Sequence, residues 1–483
     1  MFATDITDNP AFDDRSYYCK ATGIMGDFSS KLRMVNEFTN ISEKYGGNLQ
    51  WFKDTQYVSN YVHNTLSFVE PSKYYASHPE WFYVDMNDEI VELCHAHIGL
   101  NEDGSIDESL SESPVKVAIE KLKECIINSD SSIKYFMIGQ MDINNPCRCE
   151  GCTALETKYK RSGMNIRFVN AVSDAIDKWF KEENIDREIY ICTFAYQYSQ
   201  DAPVNDKGEP LDSTVVPRDN VIVRLAPIRA NNYYGMVDER QEEDTRKMLL
   251  DWKNVAKKTM IWSYHTRFTF YYTYYPTMQH WQEDLRLYRD MGCQYVFMQS
   301  NMSDINDWKA NIEAYVASKM LWNPDLNAND LRMEYIKYYY GIIGDEVVQY
   351  INNFETNLAL VMNSDDVPNM TLQGKDEFID PKYYGTAFFE KQFELIDNMY
   401  LKVEKENLSP SEKDDFNAKI DRLKIYPEFM VLYNYDKYYF DDLWGKKEML
   451  EDFFTTCTNL GITRFREFNG TIEVLKKMWG YIK

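Results

Sequence analysis

Two kinds of chemistry sit side by side in the stretch "IGQMDINNPCRCEGC" (138–152). Asp142 follows the apolar run "IKYFMIGQMD" (133–142), so a carboxylate stands where a strand would end. Such a group suits proton transfer or attack on an electrophile. Its plainer reading is a cap for a helix starting near Cys152, or a partner for loop amides. Cys147, Cys149 and Cys152 follow in the pattern Cys-x-Cys-x-x-Cys. Four thiolates hold tetrahedral zinc, but known structural sites usually pair two Cys-x-x-Cys knuckles. The three thiols therefore need a fourth ligand. Cys94 in "CHAH" (94–97) is the candidate, with His95 or His97 as replacements. Reduced, half-buried thiols or a Cys147–Cys152 disulfide fit the same spacing. A closed four-ligand site has no position open for water. The cluster is thus expected to brace the loop that presents Asp142, and catalysis is expected to need no cofactor.

Elements to position these groups are legible as short apolar runs alternating with longer amphipathic ones. "SYYCKA" (16–21), "IKYFMIGQMD" (133–142), "EIYICTFAY" (188–196), "NVIVRLAP" (220–227), "TMIWSY" (259–264) and "CQYVFMQS" (293–300) are nearly continuously apolar, as strands buried on both faces are. Between them, 164–184, 238–258 and 277–292 carry apolar residues at helical spacing, the last with Gly292 as a C-cap. "GNLQWF", "YVHNTL" and "IVELCHAH" compete for two further strands between 47 and 97. Eight β-α units over about 320 residues predict a (β/α)8 barrel at 1–325. A doubly wound sheet is the rival, but no glycine-rich phosphate loop follows the first strand. From 331 onward only helical periodicity remains, as in 331–342, 345–362, 388–407 and 448–468, with polar joints near 363–369 and 409–410. Residues 326–483 therefore read as an α-helical domain.

Barrel sites form where strands end and loops begin. Those ends offer Asp142 and Tyr264 as catalytic groups. His63, His95, Asn144, Tyr196 and Tyr198 are candidate substrate contacts, joined by Arg224, Trp262, His265 and Gln299. The aromatics would make flat walls for sugar rings, or else fill the barrel. Arg224 ends an apolar strand and needs an acidic partner or an anionic ligand.

Composition excludes several alternatives. With 53 Lys+Arg against 77 Asp+Glu the formal charge is -24, which repels phosphate backbones and anionic headgroups, so neither nucleic acid nor membrane is an expected partner. No run approaches the length of a membrane span, and the acidic start "MFATDITDNPAFDD" lacks the features of a signal peptide. The sequence as written reads as cytoplasmic, or as extracellular had a leader been removed. Nine cysteines, an odd count, argue against a complete disulfide framework.

"KYYASHPEWFYV", "CRCEGCTALETKYKRSGMNIRFVNAVSDAI", "ICTFAYQYSQDAPV", "DNVIVRL", "IWSY", "MLWNPDLNANDLRMEYIKYYYG" and "GQMD" occur within 10–341. Together they resemble a bacterial family of barrel proteins named only as a domain of unknown function. Its best understood branch is glycoside hydrolase family 163, endo-β-N-acetylglucosaminidases acting on complex N-glycans. The resemblance implies a glycoside-hydrolase barrel with a glycan substrate. The family's serine-glutamine-asparagine-aspartate strand end is matched by Gly139, Gln140, Met141 and Asp142, and the three cysteines count as a family feature. This chain departs at Ser263, where the family usually has Asp, and at "CHAH". Family members also usually carry a β-rich domain before the barrel, and the sequence as written begins almost at the first strand.

Glycoside cleavage needs a proton donor and a second group that attacks, activates water or steadies charge. For a 2-acetamido sugar the substrate's own amide can attack, with one carboxylate orienting it and another as acid/base. No carboxylate adjoins Asp142, so the second must come from elsewhere; Glu70, Asp201, Asp238, Glu239 and Asp304 follow strand-like segments. Tyr264, His265 or His95 could share the proton work. Two rival readings are a uronic-acid glycosidase, with Arg224 or Arg229 holding the substrate carboxylate, and a carbohydrate-binding barrel without catalysis.

Overall fold

The computed structural model describes residues 8–482, apart from 36, 39–40, 46–49, 365–369, 373–378 and 440–442. Eight strands are described: β1 (Asp14–Tyr18), β2 (Phe82–Val84), β3 (Ile90–Leu93), β4 (Tyr135–Met137), β5 (Tyr190–Ala195), β6 (Val221–Leu225), β7 (Thr259–Tyr264) and β8 (Cys293–Gln299). The six runs expected as strands from their apolar continuity are the six strands of one curled parallel sheet, ordered β1-β8-β7-β6-β5-β4. β2 and β3 stand apart as an antiparallel hairpin.

The region between 47 and 97 explains why the parallel sheet has six strands among the described residues. "IVELCHAH" becomes β3 and the 3₁₀ turn His95–His97, while "YVHNTL" is a turn entering the short helix Thr65–Phe68. "GNLQWF", whose first residues lie outside the described set, reaches the sheet at one point, where Trp51 bridges Tyr135 and the Phe52 amide donates to the Tyr135 carbonyl at 2.9 Å. At the opposite edge the Val35 amide donates to the Arg15 carbonyl at 2.9 Å.

Alternation along the strands separates two faces. Cys192, Phe194, Ile222, Met260, Tyr295 and Phe297 meet on the concave side. The outer face is covered by the helices Pro114–Ile127, Glu150–Glu182, Glu243–Val255, Trp281–Asp290 and Trp308–Met320. Helices Ala328–Tyr340, Gly344–Met362, Thr386–Lys405, Pro410–Tyr433, Leu443–Asn459 and Ile472–Met478 follow and share one apolar core with the outer face of the sheet. The join includes polar contacts too: Tyr426 donates to Asp307 at 2.9 Å and Arg422 pairs with Asp304 at 2.9 Å. Of the two polar joints, 409–410 is a capping box between Ser409 and Glu412, and most of 363–369 lies outside the described residues. The periodicity of 448–468 overruns the structure, because the helix stops at Asn459 and Gly461 turns the chain with a φ of 67°. Among the described residues no helix is long and apolar enough to cross a membrane.

Inside the concave face, Arg224 forms a bidentate pair with Glu37 at 2.7 and 3.1 Å, and both side chains are fully buried. The guanidinium lies 4.5 Å from the Trp262 ring centre and 5.2 to 5.7 Å from those of Phe297, Tyr295 and Trp51. Removing one partner strands a charge in this ring-lined space. Glu37→Gln should therefore cost about 3–5 kcal/mol, while Glu37→Leu/Arg224→Met should recover most of the loss. Urea unfolding of the three proteins measures both effects, and a single variant as stable as the parent would show that the pair is dispensable.

Candidate active site

Asp142 lies just past β4, exposed, and accepts a hydrogen bond from the Tyr196 hydroxyl at 3.0 Å. It caps no helix, since the next one begins at Glu150 with Cys149 as its N-cap. The turn before it is built by close approach. A Cβ on Gly139 would sit 2.0 Å from the Val62 carbonyl, which accounts for glycine where the resembling family has serine. The Gly139 amide donates to the Asn64 side chain at 2.9 Å, and Gln140 donates to the Tyr196 carbonyl at 3.0 Å, tying β4 to β5.

A row of rings runs across the mouth of the sheet. Tyr18 and Phe38 are 4.8 Å apart between ring centres, Phe38 and Trp262 5.9 Å, Trp262 and Phe194 6.2 Å, and Phe194 and His63 5.2 Å. Phe38 is 37% exposed, Tyr18, Trp262 and His63 are half-buried and Phe194 is buried, so the row presents apolar surface outward at every ring but Phe194. The Trp262 indole donates to Gln299 at 2.8 Å, which fixes the ring plane. Tyr264 continues the row, 6.5 Å from Trp262 and 5.8 Å from Phe268. Burial drives its phenol far above the ordinary range, with Tyr196 and Asp142 adding, so it stays a proton-bearing donor beside Asp142.

Several expected contacts have other duties. Arg224 is sealed against Glu37. His265 is buried, with Nε2 2.8 Å from Ser263 Oγ and Nδ1 2.9 Å from Thr277 Oγ1, and burial takes its pKa well below normal. His95 lies edge-on to Phe168, and burial with Arg161 holds its pKa at about 4, so it is neutral near pH 7. Tyr198 donates to Glu92 rather than facing the mouth. Asn144 stands exposed on the Asp142 loop. The structure thus brings together Asp142, Tyr196, Tyr264, Trp262, Gln299 and His63, commits Arg224 to Glu37 beneath Trp262, and gives His265, His95 and Tyr198 partners of their own.

Two carboxylates escaped the sequence reading. Glu92 on β3 is 2% exposed and accepts four hydrogen bonds: from Thr65 at 2.6 Å, the Leu93 amide at 2.9 Å, the Met141 amide at 2.7 Å and Tyr198 at 3.2 Å. Burial raises its pKa, and these four bonds oppose the rise. Its signal was present as a charge inside an apolar run, the cue that flagged Arg224. Glu467 had no such signal, because its segment reads as helix. It reaches the mouth because the loop after β7 pairs with it: its amide donates to the Phe268 carbonyl at 2.9 Å, and the Tyr271 amide donates to the Phe465 carbonyl at 2.8 Å. Tyr271 also donates its hydroxyl to the Glu467 carboxylate. The Tyr18 phenol is pushed up to about 12, by burial first and then by the charge of Glu467. Of the alternatives read from sequence, Asp304 is buried against Arg422, Asp238 is paired with Arg240 at 2.7 Å and Glu70 with Lys73 at 2.7 Å.

The four cysteines named from sequence do converge. Cys94 Sγ lies 3.6 Å from those of Cys149 and Cys152 and 3.8 Å from that of Cys147, and the four ligand atoms all lie within 4.8 Å of one another.

Fold and site together define an α/β protein whose curled parallel sheet carries an aspartate and a row of aromatic rings at the carboxyl ends of its strands. The chain belongs to a family described as a domain of unknown function, DUF4838, whose model matches residues 2–352. No curated protein matches it. Among solved structures it is similar to a GH138 enzyme targeting pectin rhamnogalacturonan II, at 10% identity and a TM-score of 0.32, over 99% of this chain and 83% of that one.

Glu92 offers a test of how the Asp142 loop is held. All four of its partners are donors, and two are backbone amides that cannot reverse, one on each carboxylate oxygen. Glu92→Gln turns an amide NH2 toward one of them in either flip, at a cost of about 1–3 kcal/mol. A lower Tm with faster hydrogen exchange at the Met141 amide is expected, and unchanged exchange there would remove Glu92 from the support of the loop.

Proposed function

We propose that this chain is a glycoside hydrolase working at the mouth of the sheet, with Asp142 as its acid/base group. The observation that carries the proposal is an exposed aspartate at a strand end, bonded to Tyr196 and set beside an outward-facing row of rings. Sugar rings stack on such surfaces through their C–H faces, while a positioned carboxylate serves the glycosidic oxygen. The sheet is read as the larger part of a (β/α)8 barrel closed by the segments around Val35 and Trp51.

The resemblance to family 163 favours a 2-acetamido sugar linkage. In that reaction the acetamide oxygen forms a bond to the anomeric carbon as the glycosidic C–O bond breaks, and Asp142 gives its proton to the leaving oxygen. Asp142 then takes a proton from the water that opens the cyclic intermediate. Glu467 supplies the second carboxylate, accepting from the acetamide N–H, and Tyr264 donates to the developing charge. Trp262, with Gln299 holding its indole, and His63 line the sugar. The uronic-acid reading loses one of its two clamps, because the Arg224 guanidinium already holds Glu37, and rests on the exposed Arg229.

Asp142→Asn should lower turnover of a labelled complex N-glycan by roughly 10²–10⁴-fold with glycan affinity and Tm little changed. Full activity of that variant on a substrate the parent cleaves would refute the assignment. Glycan that binds the parent but survives prolonged incubation would identify a binding protein. Glu467→Gln should lower kcat in the same assay, and Trp262→Ala should raise KM; a loss of Tm with unchanged KM would make Trp262 a filler of the sheet interior.

A further inference from the structure

We infer that Cys94, Cys147, Cys149 and Cys152 form a closed tetrathiolate site for one zinc ion, and that this site clamps the loop carrying Asp142 to the end of β3. A tetrahedron with metal–sulfur bonds of about 2.3 Å has sulfur–sulfur edges of about 3.8 Å. Cys94 meets its three partners at 3.6, 3.6 and 3.8 Å, which is that edge length. Disulfide sulfurs lie about 2.05 Å apart, so the arrangement is that of four separate ligands around a common centre. All four donors are sulfur, which selects a soft or borderline ion and excludes magnesium and calcium.

The surroundings suit a doubly negative zinc–thiolate centre. Cys149 is the N-cap of the helix Glu150–Glu182, and the Cys152 amide donates to its sulfur at 3.4 Å. The positive end of that helix thus faces the sulfurs. His97 Nδ1 lies 3.3 Å from Cys94 Sγ, positioned as an outer donor to a ligand. Cys94, Cys147 and Cys152 are buried, and Cys149 lies at the surface, which leaves an entry path.

The connectivity supplies the mechanical consequence. Glu92 receives the Met141 amide, and two residues later Cys94 meets the three cysteines that follow Asp142. One short stretch at the end of β3 therefore grips the loop from 141 to 152 at both of its ends. Gly151 fits this close packing, because a Cβ there would lie 2.6 Å from that of Ala96.

The test needs no glycan, so it stands or falls separately from the hydrolase reading. Protein purified under reducing conditions without chelator should contain one zinc per chain by mass spectrometry. After exchange into cobalt(II) it should show thiolate-to-cobalt charge transfer and the intense visible bands of tetrahedral cobalt. Cys149→Ser, at the surface and checked for folding by circular dichroism, should show weaker charge transfer, one of the four thiolates being gone, and bind cobalt at least the roughly tenfold more weakly that loss of an outer partner already costs. Zinc removal should lower Tm and speed exchange at the Met141 amide. A folded protein free of metal that takes up no cobalt would overturn the site, and stoichiometric iron would overturn the choice of zinc. Bound zinc whose removal leaves Met141 exchange unchanged would overturn the clamp.

Discussion

One carboxylate and one guanidinium, sealed where no water reaches, set the geometry on which the mouth of this protein depends. Glu37 lies outside the regular strands, and its bidentate grip on Arg224 anchors it to β6. Phe38 is the next residue, so the pair also decides where the outermost ring of the mouth stands. Desolvating two charges is expensive, and only the shape of the fork and the surrounding rings repay it. The rings are not incidental, since a guanidinium over Trp262 gains cation–π attraction while holding the indole in place. A residue so committed and fully sealed from solvent is out of reach of a ligand at the mouth, where the rings above it stand.

A second constraint governs the loop after β4. Its backbone leaves the sheet and must satisfy its amides without a neighbouring strand. Asn64 serves Gly139 and Glu92 serves Met141, which places Asp142 on a loop fixed at its base and exposed at its tip. Tyr196 then limits where the carboxylate can turn. This division into a rigid root and a solvent-facing end is what the acid/base role proposed for Asp142 requires.

Much of this was legible in the residues. Parallel strands buried on both faces read as unbroken apolar runs, and the six that did so are the six of the sheet. Asp142, Tyr196, Trp262 and Tyr264 follow from strand ends, and Cys94 from the count of ligands a tetrahedron needs. The failures have physical causes. The described residues around Val35 and Trp51 meet the sheet over stretches too short to carry an apolar alternation, one backbone bond to Arg15 in the first case and the bonds of Gln50 and Phe52 with Lys134 and Tyr135 in the second. His265 and Tyr198 have the residue types of a binding site, but their partners, Ser263 and Thr277 in one case and Glu92 in the other, come from tertiary packing that spacing does not encode. Glu467 lay in a stretch whose helical period continues past the glycine that ends the helix.

The pairing of residues 465–467 with the loop after β7 bears on how the molecule is born. Synthesis delivers the chain from its amino end at about 5–20 residues per second, and earlier portions collapse first. All six parallel strands have emerged once Gln299 is made, yet the wall formed by Phe465 and Glu467 must wait for the ribosome to finish six more helix-rich segments. On the order of ten seconds pass in which the sheet can close over its buried ion pair while its mouth stays open on one side. A nascent chain in that interval is a folded scaffold with an unfinished cleft, which is completed only when residues 465–467 appear.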